Sequence, residues 1–304
     1  MYTMLRDACA PAPFSPYFPF PSPETDSIMR DILEQLLSID PSQADAEAFA
    51  LYDQLRLALR EGRLRAAHCV DGTWVADTDI KRAILWAFKA GVLRDVGDAE
   101  SAVFAFTDKH TLPVLRFAAA EGRRIVPGGT TIRDGAFVAP GVIVMPPAYI
   151  NIGAYVDEGT LVDSHALIGS CAQIGKRVHV SAAVQIGGVL EPVGAVPVII
   201  EDDVMIGGNS GVYEGTIVRR GAVLGTGVIL NASTRVYDLV HGRVLAKSVD
   251  GPLEIPPYAV VVPGSRPARG SFAAEAGVHI YTPVIVKYRD ERTDAATALE
   301  ESLR

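Results

Sequence analysis

Ile150-Asn-Ile-Gly-Ala-Tyr-Val156-Asp-Glu-Gly-Thr-Leu-Val162-Asp-Ser-His-Ala-Leu-Ile168-Gly-Ser-Cys-Ala-Gln-Ile174 is the stretch on which the fold turns. An aliphatic residue returns at every sixth position, a period that fits neither a helix nor a lone strand. Working outward, the series holds without a miss from Val126 through Ile132, Val138 and Val144 to Ile186. It resumes at Ile200, Ile206, Val212, Val218, Leu224, Leu230 and Val236. Four residues after most of these stands something small or β-branched, such as Ala154, Thr160, Ala166, Ala172, Ser210 or Thr216. A short strand plus a turn satisfies this period, and three such units close a triangular coil. The aliphatic residue then points to the axis and stacks on its counterparts, each burial contributing about 1.5–3 kcal/mol.

The step from Ile186 to Ile200 is fourteen residues, two more than two repeats. The intervening stretch is rich in turn formers, so 187–199 is expected to be an external loop in a coil spanning 121–257. Beyond it, Val260-Val261-Val262 and Val284-Ile285-Val286 suit a cap within 258–304, and the last eleven residues suit a short exposed helix.

Before the coil, residues 26–120 carry helical patterns. Ile28, Ile32, Leu33, Leu36 and Leu37 share one face, and Pro41 closes that segment. Ser42 with Asp45 suggests a capping box ahead of a stripe of Leu51, Leu55 and Leu59. Asp71-Gly72 reads as a hairpin turn, and Ile80, Ile84 and Phe88 as a third helix ending at Gly91. Residues 1–25, interrupted by repeated prolines, read as an extended arm.

Composition narrows the function. A net charge of −8, with 28 Lys and Arg and no dense basic run, argues against a nucleic-acid surface. No apolar run reaches the roughly 20 residues of a membrane span, and the proline-broken start is unlike a signal peptide. Cys9, Cys69 and Cys171 lack CxxC spacing and suit a reducing compartment. The chain is expected to be soluble and cytoplasmic, its partners small molecules and copies of itself.

Several strings are more specific than the period. Asn151-Ile-Gly-Ala-Tyr-Val-Asp-Glu-Gly-Thr-Leu-Val-Asp163, Gly169-Ser-Cys-Ala-Gln-Ile-Gly-Lys176, Ile186-Gly-Gly-Val-Leu-Glu-Pro192 and Ser233-Thr-Arg-Val-Tyr-Asp238 resemble the tetrahydrodipicolinate N-succinyltransferases. So do Asp71-Gly72, Trp74 and Lys81, and the likeness runs from about Leu59. The resemblance implies a left-handed parallel β-helix of hexapeptide repeats, with a small α-helical N-terminal domain and a short C-terminal cap. It implies a homotrimer with active sites in grooves between coils, using a coenzyme A thioester and no metal. The acyl group, succinyl first and acetyl as the alternative donor, would pass to the α-amine of a ring-opened amino-oxo-pimelate.

Such chemistry needs a base beside the amine, cationic or hydroxyl partners for two carboxylates, and a donor for developing oxyanion charge. The resemblance places Asp163 beside the reacting amine and Arg124 on the acceptor, with Ser181 and Arg235 as further carboxylate partners. Gly188, Gly225, Gly227, Lys247 and Lys287 are the candidates for coenzyme A. The chain departs from the family twice. Asp163-Ser164-His165 stands where relatives carry a tryptophan after Asp-Thr, and Asn209-Ser210-Gly211 where they carry Arg-Ser-Glu. With that glutamate missing, His165 or Glu214 is expected to take over part of its role.

Two other classes compete. A metal-dependent hydratase would need clustered histidines, whereas the coil has His165 and His179 fourteen residues apart. A non-catalytic β-helix scaffold would show a regular outward ladder, whereas Asp157, Asp163, Gly169, Gly175 and Ser181 vary.

Overall fold

The computed structural model describes residues 23–96, 106–249 and 251–289. The expected arm up to residue 22 and the expected helix beyond 294 lie outside these.

Three sheets of parallel two-residue strands form the coil. Face I carries Thr131–Ile132, Tyr149–Ile150, Leu167–Ile168, Gln185–Ile186, Gly211–Val212 and Ile229–Leu230. Face II runs from Phe137–Val138 to Glu254–Ile255, and face III from Arg124–Ile125 to Ala259–Pro267. From Ile132 on, the second residue of each strand is buried and stacks on the one a coil away, as Val156 on Ile174 and Ile168 on Ile186. The period-six reading of a parallel β-helix therefore holds.

The small residues fill the corners, and two of them tie coils together. Thr160 Oγ donates to the Gly175 carbonyl at 2.8 Å and accepts from the Val178 N–H at 3.1 Å. Ser210 repeats the arrangement with Gly225 and Val228. A small hydroxyl therefore satisfies two buried backbone groups where a larger side chain would not fit.

The register differs at both ends. Ile125, not Val126, aligns with Val144, so the series starts in register at Ile132. After Leu230 the chain leaves the coil, and Val236 joins a strand, Val236–Asp238, paired to the C-terminal hairpin. The coil then resumes with Ile255 beside Val218 and Val261 beside Leu224. Strands Ala259–Pro267 and His279–Tyr288 form the antiparallel cap.

Helices α1 (Pro23–Ser38), α2 (Ala46–Arg60) and α3 (Thr78–Ala90) build the N-terminal domain. The first begins at Pro23, earlier than expected, and buries Met29 while Ile28 is exposed. Asp45 itself caps α2, accepting from the Ala48 N–H at 2.9 Å, so no Ser42 capping box forms. The helical core takes in Ile152 and Cys171, both on the corner between faces I and II. Trp74, on the Asp71-Gly72 hairpin, donates from its indole N–H to Glu201 of the coil at 3.0 Å. The helical domain thus leans on the I–II corner and on face II.

The cysteines differ from the expectation of three reduced thiols. Cys69 is disulfide-bonded, whereas Cys171 is free and buried.

Candidate active site

Asp163 directly follows core-facing Val162 and opens the turn from face III to face I. Its Oδ1 accepts the Ser164 N–H at 2.7 Å, and it forms no ion pair among the described residues. His165 sits two residues on at the exposed tip of the same turn, with φ of 62°. Its backbone carries the turn: the N–H donates to the Pro147 carbonyl and the carbonyl accepts from Gln185 Nε2 at 3.2 Å. The imidazole has no hydrogen-bond partner among the described residues.

Above Asp163-Ser164-His165, successive coils stack Ser181-Ala182-Ala183, Gly207-Gly208-Asn209 and Gly225-Thr226-Gly227 on the same corner. Ser181, Gly225 and Gly227 are therefore brought into line with Asp163. These upper coils are poor in side chains because the backbones approach closely. A Cβ on Gly207 would stand 2.5 Å from the Thr226 nitrogen, while at Gly227, with φ of 77°, it would meet open space. One end of the corner carries a carboxylate and an imidazole, and the other is a smooth backbone-lined track.

The remaining candidates are elsewhere. Arg124 is exposed on the first strand of face III, two strands before Leu161. Arg235 is exposed beyond the last strand of face I, with its carbonyl accepting from Thr282. At roughly 4.8 Å per coil, these arginines cannot grip one small molecule on a single chain. Glu214 lies on the I–II corner, where it accepts the Ala232 N–H at 2.9 Å. It is thus at the far edge of face I from His165 and two coils on, and the two cannot share one proton within one chain. Gly188 also lies on that edge, its backbone packed on Ser170. Lys247 is exposed beyond the coil and Lys287 is half-buried in the cap.

Two buried groups are structural. Burial pushes the Cys171 thiol up to about 12, which keeps it protonated and unsuited to nucleophilic attack. Lys81, buried on α3, donates to the carbonyls of Pro192 and Ala195, pinning the external loop, and burial pulls its ammonium down.

Tyr213 had no place among the expected site residues. It stands one residue after Val212, at the position where the two preceding coils have Gly169 and Gly187. A Cβ built on Gly211 would lie 2.7 Å from Tyr213 Oη and 2.8 Å from Cζ, and one on Gly187 2.9 Å from Cδ1. The ring is thus folded back over face I across two vacated positions. The legible signal was an aromatic in a column of glycines.

The family description "Hexapeptide repeat of succinyl-transferase" matches residues 197–232. Residues of the chain are 47% identical over 113 positions to a 2,3,4,5-tetrahydropyridine-2,6-dicarboxylate N-succinyltransferase of Afipia carboxidovorans, covering 37% of this chain and 38% of that one. The enzyme of the same description from Ruegeria pomeroyi is 48% identical, covering 37% of each. A crystal structure from Campylobacter jejuni, of a candidate 2,3,4,5-tetrahydropyridine-2-carboxylate N-succinyltransferase, overlays at a TM-score of 0.42 with 13% identity, covering 80% of this chain and 63% of that one. The resemblance seen in the sequence strings is therefore borne out over 37% of the chain. The matched region spans little more than a third of the length of these curated relatives, 38% in the first case.

Proposed function

We propose that this chain is a coenzyme A-dependent N-acyltransferase that moves a succinyl group to the α-amine of ring-opened tetrahydrodipicolinate. The observation that carries the reading is the III–I corner, with Asp163 and His165 at one end and the Gly207-Gly208 and Gly225-Thr226-Gly227 turns further along it. The turn tips at Asn209 and Thr226 are exposed and suit the amide-rich arm of coenzyme A, and a carboxylate beside the track suits an ammonium acceptor. The curated relatives carry the same activity in their names.

In this mechanism Asp163 takes the ammonium proton, the freed amine bonds to the acyl carbon, and the carbon–sulfur bond breaks to release the thiol. His165 assists the proton transfer from the same turn. Ser181 and Arg124 hold acceptor carboxylates, and Arg235 and Glu214 enter the groove only from a neighbouring copy. That division favours a homotrimer of left-handed coils, in keeping with the separation of the two arginines along one chain. Gly188, Gly225, Gly227, Lys247 and Lys287 are assigned to coenzyme A, no metal is required, and the compartment is the cytoplasm.

The test is thiol release with 2-aminopimelate as a stable acceptor, comparing succinyl- with acetyl-coenzyme A. Faster release with succinyl-coenzyme A is expected. Preference for the acetyl donor would reassign the acyl group, and no acceptor-dependent release with either donor would overturn the reading.

A further inference from the structure

The outward residues of face I run Thr131, Tyr149, Leu167, Gln185, Gly211 and Ile229, so glycine opens a gap in this row at its fifth strand. Tyr213 closes the gap from the far corner. Its Cα lies 3.3 Å from where a Cβ of Gly187 would stand, and its Oη 2.7 Å from where one of Gly211 would stand. The ring therefore runs backward along the face, and its hydroxyl points from the I–II edge toward the III–I corner. There the hydroxyl comes level with Asn209 and Ser210, two coils along the corner from Asp163.

The hydroxyl is also unused. Tyr281, the phenol that reaches the next strand of face I, is engaged: the Ile229 N–H donates to its Oη at 2.6 Å. Tyr213 Oη has no hydrogen-bond partner among the described residues, although its backbone is held by bonds to Leu230 and Thr216. A ring laid into a gap made by two glycines, with its polar end aimed along the face, is positioned for something outside the chain.

We propose that the Tyr213 hydroxyl binds the acceptor, donating to the carboxylate remote from the reacting amine; this rests on the acyl-transfer reading above. Two coil steps of roughly 4.8 Å each separate its level from that of Asp163. An extended seven-carbon amino dicarboxylate is of that length, so amine and remote carboxylate can meet the two groups at once. A phenol O–H to a carboxylate makes a charge-assisted bond, the type that gives most to recognition. The hydroxyl stands in the space that a side chain at 211 would otherwise occupy, so the absence of a side chain there is what admits it.

Tyr213→Phe keeps the ring and removes only the hydroxyl, so a purely packing role predicts no change. Expected instead is a rise in KM for 2-aminopimelate of about ten- to a hundredfold, the loss of one hydrogen bond to a charged group, with KM for the acyl donor unchanged. The preference for 2-aminopimelate over 2-aminoheptanoate, which lacks the remote carboxylate, should shrink by the same factor. Gly211→Ala, which displaces the ring, should reproduce both effects. An unchanged acceptor KM, or an equal loss for both acceptors, overturns the proposal. If the wild-type protein turns over neither donor, the acyl-transfer reading fails; calorimetry of 2-aminopimelate then decides Tyr213 separately. Weaker binding by Tyr213→Phe supports the contact, and equal binding or none by either protein overturns it.

Discussion

Lys81 Nζ stands 2.8 Å from the carbonyl oxygen of Ala195, joining the first turn of α3 to the loop that interrupts the coil. A second bond to Pro192 at 3.2 Å makes the lysine a clamp across both sides of the loop apex. Burying an ammonium is costly unless it is hydrogen-bonded, and burial has pulled this one's pKa down, so these carbonyls are what keep it in place. Lys81→Met keeps the length and removes the donor. Faster amide exchange across residues 187–198 is expected, with a stability loss of about 1–3 kcal/mol. Unchanged loop exchange would show that the clamp is idle.

Asp163 and His165 occupy one turn, but their substitutions should separate. Asp163→Asn keeps the acceptor for the Ser164 N–H and loses the base, so kcat/KM should fall by about 100- to 10,000-fold with unfolding unchanged. His165 has φ of 62°, a conformation that asparagine tolerates better than alanine, so His165→Asn is the cleaner probe. A reduced kcat/KM is expected, since the imidazole no longer assists the proton transfer. An undiminished kcat/KM would remove the imidazole from the chemistry.

The coil was legible because its physics is local and repetitive: each aliphatic residue from Ile132 to Leu230 meets the same surroundings, so one period describes the whole core. The ends were less legible. Ile125 displaced Val126, and Val236 left for the cap, because strand partners from outside the repeat set the register there. The placement of candidate residues was legible where it follows the repeat, as for Asp163 and Ser181, which stand one position after a core residue on one corner. Glu214 stands on a different corner from His165, which its sequence proximity to Gly211 did not reveal. Tyr213 was missed for the converse reason: the aromatic in a column of glycines could be read, but only the backbone path shows that it fills the place of a glycine side chain two residues away.

Asp238 gathers three side-chain donors on one carboxylate oxygen. Its Oδ2 accepts from Tyr288 Oη at 2.7 Å and Arg243 Nε at 2.9 Å and meets His241 Nδ1 at 3.0 Å. Burial alone would raise the carboxyl, but the bonds from Tyr288, His241 and Arg243 outweigh it and hold the group well below the usual carboxylate range. A carboxyl depressed in the folded state contributes stability that is complete above its unfolded pKa, near 4, and is lost as the pH falls from there toward the folded value. Asp238→Asn should therefore cost about 1–3 kcal/mol at pH 7 and progressively less in acid. Urea unfolding at pH 7 and pH 3 measures this, and a difference between wild type and variant that is the same at both would refute it.

Tyr52 carries the opposite imbalance. It is 2% exposed on α2, among Leu33, Leu55, Leu59, Ile80 and Ile84, and its hydroxyl is buried without a hydrogen-bond partner. Burial, with the charges of Asp134 and Asp53 adding to it against Arg56, pushes the phenol far up, so the group stays neutral and its cost is that of an unmade hydrogen bond. Tyr52→Phe removes the oxygen and keeps the ring beside Trp86, whose centroid lies 6.1 Å away. The variant should be more stable by about 1–2 kcal/mol, read from the urea midpoint at constant slope. Tyr52→Leu, which leaves ring volume empty, should be less stable than either. A destabilised Tyr52→Phe would mean that the hydroxyl finds a bridging water between α2 and α3, and that this polar contact helps hold the helical domain together.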